Sequence, residues 1–190
     1  MKKIAVFASG SGTNFQAIID AIQSGSLEAS IEILVCDKKK AFCLNRAESA
    51  GIPAFTFTAK EYKDKTAYEQ EILQQLQENN VEFIVLAGYM RLIGETLLSA
   101  YQGRIVNIHP SLLPSFPGKD AIGQALAAKV STTGVTVHFV DEGMDTGPII
   151  DQKSVVIDEQ DTADSLAEKI HAVEHQLYPA VLQRLFQSEN

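Results

Sequence analysis

The sequence predicts an α/β fold, one doubly wound and mainly parallel sheet with antiparallel strands near the C-terminal end, from three observations. Short apolar runs alternate with segments of helical pattern or length through the first half of the chain. A glycine-rich turn, Ser9 to Thr13, follows the first run directly. Past Gly118 two strand-like runs are joined only by the short acidic stretch DEGMDT. Strand, helix, strand order demands crossover connections and hence parallel neighbours, whereas a short connection suits an antiparallel pair.

In chain order, KKIAVFA is the first strand, and Ile18, Ile19 and Ile22 repeat behind it at helical spacing. SIEILVC and PAFTF follow as strands. Tyr68, Ile72, Leu73 and Leu76 mark a helix before the fourth strand, EFIVLAG, and GRIVNI is the fifth. A helix from Ala121 to Ala128 precedes the paired runs GVTVHFV and PIIDQKSVVI. The last helix runs from Thr162 or Asp164 to Phe186, with Asp164 in its first turn and an apolar stripe of Leu166, Ile170, Val173, Leu177 and Val181. Without a linker or repeat, residues 1–190 read as one domain.

Composition narrows the function. With 24 acidic against 16 basic residues the net charge is -8, which argues against a nucleic-acid or anionic-membrane partner and for small ligands. After MKK the apolar run IAVFA is too short for a signal peptide, and no run approaches a membrane helix. Cys36 and Cys43, with six residues between them, fit neither a CxxC redox pair nor a zinc knuckle, so a reducing, cytoplasmic setting is expected.

Three segments carry chemistry. The turn SGSGTN precedes a helix whose unpaired N–H groups and dipole attract an anion, and Thr13 and Asn14 can add side-chain donors. Gly10 and Gly12 lack the third glycine of a dinucleotide fingerprint, and no P-loop lysine follows, so a single phosphate fits better than NAD or ATP; the alternative is a plain tight turn. In NIHPSLLPSFPG, Asn107 and His109 sit where ligands bind in open α/β sheets, at a strand's carboxyl end, with Ile108 turned away and Pro110, Pro114 and Pro117 stiffening the adjoining loop. A neutral amide donor beside an imidazole suits an oxyanion that forms only in the transition state. Among Asp141, Glu142 and Asp145, Asp145 is assigned to His109, where a carboxylate would favour the imidazolium. His138 reads as a packed, hydrogen-bonded residue.

HAVEH, His171 to His175, matches a metalloprotease pattern, but after Glu174 the only acidic residue is Glu189, so no metal is expected. Glu174 is then available for an amine substrate.

Taken together, SGSGTNFQAII, VLAGYMRLI, NIHPSLLPSFPG, GVTVHFVDEGMDTGPII and EHQLYP resemble, in order and almost end to end, the folate-dependent phosphoribosylglycinamide formyltransferase family. The resemblance implies a Rossmann-like formyltransferase fold and transfer of a formyl group from 10-formyltetrahydrofolate to the amine of glycinamide ribonucleotide, in de novo purine (IMP) biosynthesis. It implies Asn107, His109 and Asp145 as catalytic residues, and Gly12, Thr13, Asn14 and Glu174 on the ribonucleotide. Lys65, Met90, Arg91, Leu92 and Ile93, with Asn107 and the segment Asp141, Glu142, Gly143, Met144 and Asp145, are implied on the folate, Lys65 at its glutamate tail. Residues 1–100 would be the phosphate-binding half and 101–190 the folate-binding and catalytic half, in a monomer or homodimer. Lys119 and Asp120 depart from relatives that carry a histidine-bearing segment there. Methionyl-tRNA formyltransferase and formyltetrahydrofolate deformylase share the trio but carry extra domains, for which the length leaves no room; a binding module without turnover would not require the intact trio.

Overall fold

The apolar run after Met1 forms β1 (Lys2–Ala8), buried on both faces from Ile4 onward as expected for a central parallel strand. The computed structural model describes residues 1–189. The glycine turn leads into α1 (Thr13–Gln23), and β2 (Ala29–Cys36), a short α2 (Cys43–Ser49) and β3 (Ala54–Thr56) follow. Next come α3 (Lys65–Glu78), β4 (Phe83–Leu86), α4 (Glu95–Ala100) and β5 (Ile105–His109). The C-terminal part holds α5 (Ala121–Ala127), β6 (Thr132–Phe139), β7 (Ile149–Val156) and α6 (Ala163–Ser188).

The strands make one seven-stranded sheet in the order β3-β2-β1-β4-β5-β6-β7. Every pair up to β4 with β5 is parallel, whereas β6 runs antiparallel to both β5 and β7, as the short acidic connection predicts. Chain order reverses across β1 and β4, and the crevice beyond their carboxyl ends is where ligands bind in such sheets.

Period-2 alternation divides the core. Ile4, Val6 and Ala8 pack toward α1 and α6 with Phe15, Ile18, Ile170 and Val181, while Ala5 and Phe7 pack toward α3 and α4 with Tyr68, Ile72, Leu76 and Leu97. Each fully buried aliphatic side chain contributes about 1.5–3 kcal/mol. The Tyr178 hydroxyl lies 2.7 Å from Leu86 O and 3.3 Å from Val106 O, fastening α6 to β4 and β5.

Boundaries shift where pairing partners differ from the local pattern. PAFTF yields only three strand residues, because β3 is an edge strand and β2 ends at Cys36 opposite Thr56. β6 starts at Thr132, ahead of GVTVHFV, because Thr132 and Thr133 still find partners in Val156 and Val155. The last helix starts at Ala163 behind a Thr162 cap whose side chain accepts from Ser165 N, with the Ser165 hydroxyl returning the bond.

Candidate active site

β5 carries the first two site residues to the sheet's carboxyl edge. Ile108 turns to the α6 layer with Val137, so Asn107 and His109 share the other side. Antiparallel register sets Asn107 against His138 and His109 against Thr136. A cleft of about 350 Å³ opens there, lined by Asn107, His109, His138 and Asp145, with Met90 to Ile93 as one wall and Asp141, Gly143 and Met144 as another. Met90, Leu92 and Met144 are exposed large apolar side chains on that lining, a surface suited to a flat conjugated ligand.

Asp145 is the centre of the polar contacts. Its backbone is left-handed, φ 57°, a conformation that Asp tolerates better than most residues. Oδ2 accepts the Gly118 N–H at 2.8 Å and stands 3.5 Å from His109 Nδ1, while Oδ1 stands 3.8 Å from His138 Nε2. On the far side of the His109 ring, Nε2 donates to Phe116 O at 2.9 Å. The His109 ring thus stands between two acceptors, a carboxylate on the Nδ1 side and a carbonyl on the Nε2 side. For the His109 Nε2–H to meet an oxyanion, its hydrogen bond to the Phe116 carbonyl must open.

His138 is packed and hydrogen-bonded as the sequence predicts, and it has a second place that the sequence did not show. It is buried and hydrogen-bonded, Nδ1 to Phe139 O at 2.8 Å, yet it also lines the cleft and faces Asp145. Burial holds its pKa below the ordinary value of 6.5, leaving a neutral imidazole whose Nε2 has no hydrogen-bond partner among the described residues. Alternation along GVTVHFV places Thr136 and His138 on one face, but only the β5 register reveals that this face is the site's.

The proline-rich loop is fixed from beneath. The Thr136 hydroxyl donates to Ser111 O at 2.7 Å and accepts Leu113 N–H at 3.0 Å. Asp120, where the sequence departs from the pattern, caps α5 by accepting Gly123 N–H at 3.1 Å and also lines the cleft.

The glycine turn forms the second part of the site. Gly12 has φ 75°, and a Cβ built there would meet Cys43 Cβ at 2.7 Å, so both backbone and space demand glycine. Cys43 N–H donates to Gly10 O at 3.0 Å and Arg46 Nε to Ser11 O at 2.7 Å, pinning the turn from α2. The first helical bond of α1 is Gln16 N to Gly12 O, which leaves the amides of Thr13, Asn14 and Phe15 without helical acceptors. A G12A substitution is expected to cost about 1–2 kcal/mol of stability and to raise the KM of a phosphate-bearing substrate roughly tenfold; denaturant melts and steady-state kinetics check both.

Tertiary folding brings Glu174 of α6 to this turn. Asn14 Nδ2 donates to Glu174 Oε2 at 3.2 Å, and His171 Nε2 lies 3.8 Å from Oε1. Burial pushes the Glu174 carboxyl above its ordinary value of 4.5, partly opposed by the Asn14 hydrogen bond and by His171. Between the ordinary and the raised value the folded state holds a proton that the unfolded state has lost, so stability falls as pH rises through that window. An E174Q protein is therefore expected to gain thermal stability at neutral pH, with the gain vanishing below pH 4.5, while losing affinity for an amine substrate. Melting curves across pH and ligand titration test the two arms.

Of the other assigned side chains, Arg91 lies on the cleft lining, and Lys65 and Glu142 lie outside it. Lys65 lies outside the cleft lining and spends its ammonium on Leu92 O at 2.6 Å. Arg91 lines the cleft, but its Nε donates to the buried Asp37 carboxylate at 2.8 Å. Glu142 is exposed and outside the lining. A larger cavity, about 950 Å³ between α1 and α6, includes Thr13 but none of Asn107, His109 and Asp145, so volume alone does not locate the chemistry. His171 and His175 stack at 6.2 Å, and no cluster of three or more His, Cys, Asp or Glu side chains placed to hold a metal occurs among the described residues.

Comparison with known proteins gives matches along nearly the whole chain. The formyl transferase family profile matches residues 2–182. The chain is 56% identical over 190 residues to phosphoribosylglycinamide formyltransferase of Bacillus subtilis (strain 168), covering all of this chain and 97% of that protein. It is 40% identical over 181 residues to the trifunctional purine biosynthetic protein adenosine-3 of Homo sapiens, covering 95% of this chain but 18% of that protein. The crystal structure of phosphoribosylglycinamide formyltransferase from Bacillus halodurans superposes with a TM-score of 0.97 at 55% identity, covering 100% of this chain and 97% of that one.

Proposed function

We propose, from the premise that this chain belongs to the formyl transferase family, that it transfers a formyl group from 10-formyltetrahydrofolate to the amine of glycinamide ribonucleotide, N1-(5-phospho-D-ribosyl)glycinamide, in purine biosynthesis. The observation that carries the reading is the convergence of Asn107, His109 and Asp145 on one cleft with an apolar wall, beside a glycine turn joined to a buried carboxylate.

In this mechanism the ribonucleotide phosphate meets the amides and side chains of Gly12, Thr13 and Asn14, and Glu174 holds the amine end. The folate lies against Met90 to Ile93 and the Asp141 to Asp145 segment. The amine nitrogen bonds to the formyl carbon, and the carbonyl oxygen takes up negative charge. The Asn107 amide and the His109 imidazolium donate to that oxygen, and Asp145 orients the ring and balances its charge. Collapse breaks the bond from carbon to N10, and the proton lost by the amine reaches N10 through water beside Asp145. The chain's halves share the work, since Glu174 from α6 joins the glycine turn and residues 90–93 face Asp145. The enzyme works in the cytoplasm on small molecules, without a nucleic-acid or membrane partner, as a monomer or homodimer; no described helix is long and apolar enough to cross a membrane.

Absorbance of the folate product, followed with and without the ribonucleotide and beside an H109A control, tests the reading. Product formed only with ribonucleotide, and lost in the control, supports it. Ribonucleotide-independent release would favour a deformylase, and binding without turnover would leave a non-catalytic module.

A further inference from the structure

Residues Met90 to Ile93 form a cleft wall outside any helix or strand, so its shape must come from tethers on it and on Gly94, the cap of α4 that follows. Met90 N–H donates to Ser9 Oγ at 2.9 Å, Leu92 O accepts Lys65 Nζ at 2.6 Å, and Gly94 N–H donates to Glu69 Oε2 at 2.8 Å. Ile93 is anchored by burial in the α3 layer. Arg91 is tethered through Asp37, at the carboxyl end of β2: its Nε lies 2.8 Å from Asp37 Oδ2, and its guanidinium lies over the Tyr68 ring at 5.9 Å.

This tether differs from the others in chemistry. The Asp37 side chain is 2% exposed against 36% for Arg91, and Asp37 Oδ1 has no partner among the described residues. Among the described residues Arg91 is therefore the single cation paired with this buried carboxylate, and neither group can leave the other without stranding that charge. The pair fixes the backbone between Met90 and Leu92, two apolar side chains that face the cleft. Asp37 itself does not line the cleft, and no hydrogen bond links it to Gly12, Thr13, Asn14 or Glu174.

We propose that Asp37 is a positioning residue for the formyl donor, acting through Arg91 to set the wall against which the folate lies and leaving the ribonucleotide site unaffected. The inference rests on the reading of that cleft as the folate site. It assigns the Arg91 side chain to holding the wall and only its backbone neighbourhood to contact with the ligand.

The test compares wild type with D37N, which keeps the shape and one acceptor oxygen but removes the charge, and with D37E, which keeps the charge but lengthens the arm by a methylene. Donor affinity is read by titration with the dideaza analogue of 10-formyltetrahydrofolate, alongside the KM of each substrate and the Tm. For D37N the donor Kd and KM are expected to rise about tenfold, a 1.4 kcal/mol loss, with the ribonucleotide KM within twofold. D37E is expected to show the same selectivity with a smaller rise, and decides alone if D37N does not fold. Equal changes in both KM values, or a lowered Tm with no change in donor binding, would overturn the proposal. Wild type that fails to bind the analogue would instead sink the reading of the cleft, and the proposal with it.

Discussion

Replacing Asn107 by alanine is expected to lower kcat by about 10²–10³, with both KM values changed less than threefold, because removing one preorganised oxyanion donor has that cost. Asn107 is suited to the role because its amide cannot titrate and because β5 holds it rigidly, with its backbone in register with His138. Its side chain makes no hydrogen bond to another described residue, so the amide is available to a reacting oxygen. Substitution at this half-buried position removes little packing, which keeps the fold intact and makes the kinetic loss interpretable. An N107D variant sharpens the test. A carboxylate placed where negative charge develops should slow turnover further than alanine does, by another order of magnitude or so. Single-turnover rates would separate this from an effect on product release. Full turnover in N107A would remove the residue from the mechanism.

Asp145→Asn is the second large effect, a fall in kcat of about 10³. Asparagine accepts the left-handed backbone that Asp145 adopts, and its amide oxygen can still receive the Gly118 N–H, so Tm should change little. What disappears is the negative charge 3.5 Å from His109 Nδ1, and with it the electrostatic support for a positively charged ring. With the amide oxygen kept on the Gly118 N–H, the NH₂ falls where Oδ1 stood, toward His138 Nε2, and His109 Nδ1 faces only a neutral acceptor. Donor and ribonucleotide binding should persist in D145N, because neither the apolar wall nor the glycine turn depends on that charge. Retained binding with lost chemistry, measured by titration and turnover on the same preparation, is the expected signature; loss of binding in step with turnover would move Asp145 from catalysis to substrate binding.

The amino-acid sequence by itself determined the alternation of strands and helices, the antiparallel end and the identity of the formyl transferase family. These are local properties: apolar periodicity encodes which face is buried, the glycines of SGSGTN encode a turn, and NIHPSLLP and DEGMDTGPI are short contiguous signatures. Strand alternation was enough to place Asn107 and His109 on one side of β5. Only the tertiary structure decided what those residues meet. His138 joins the cleft because β6 pairs with β5 in one register, and a one-residue slip would have turned it to the opposite face. Glu174 reaches Asn14 across 160 residues because the Tyr178 hydroxyl fastens α6 to the ends of β4 and β5. The side chains of Lys65 and Arg91 reach Leu92 O and Asp37, because an irregular loop must borrow its hydrogen bonds from neighbouring elements. Periodicity reports burial along one segment, whereas partners depend on register and on packing between segments distant in the chain, and those are fixed only when the sheet and its helices close around the core.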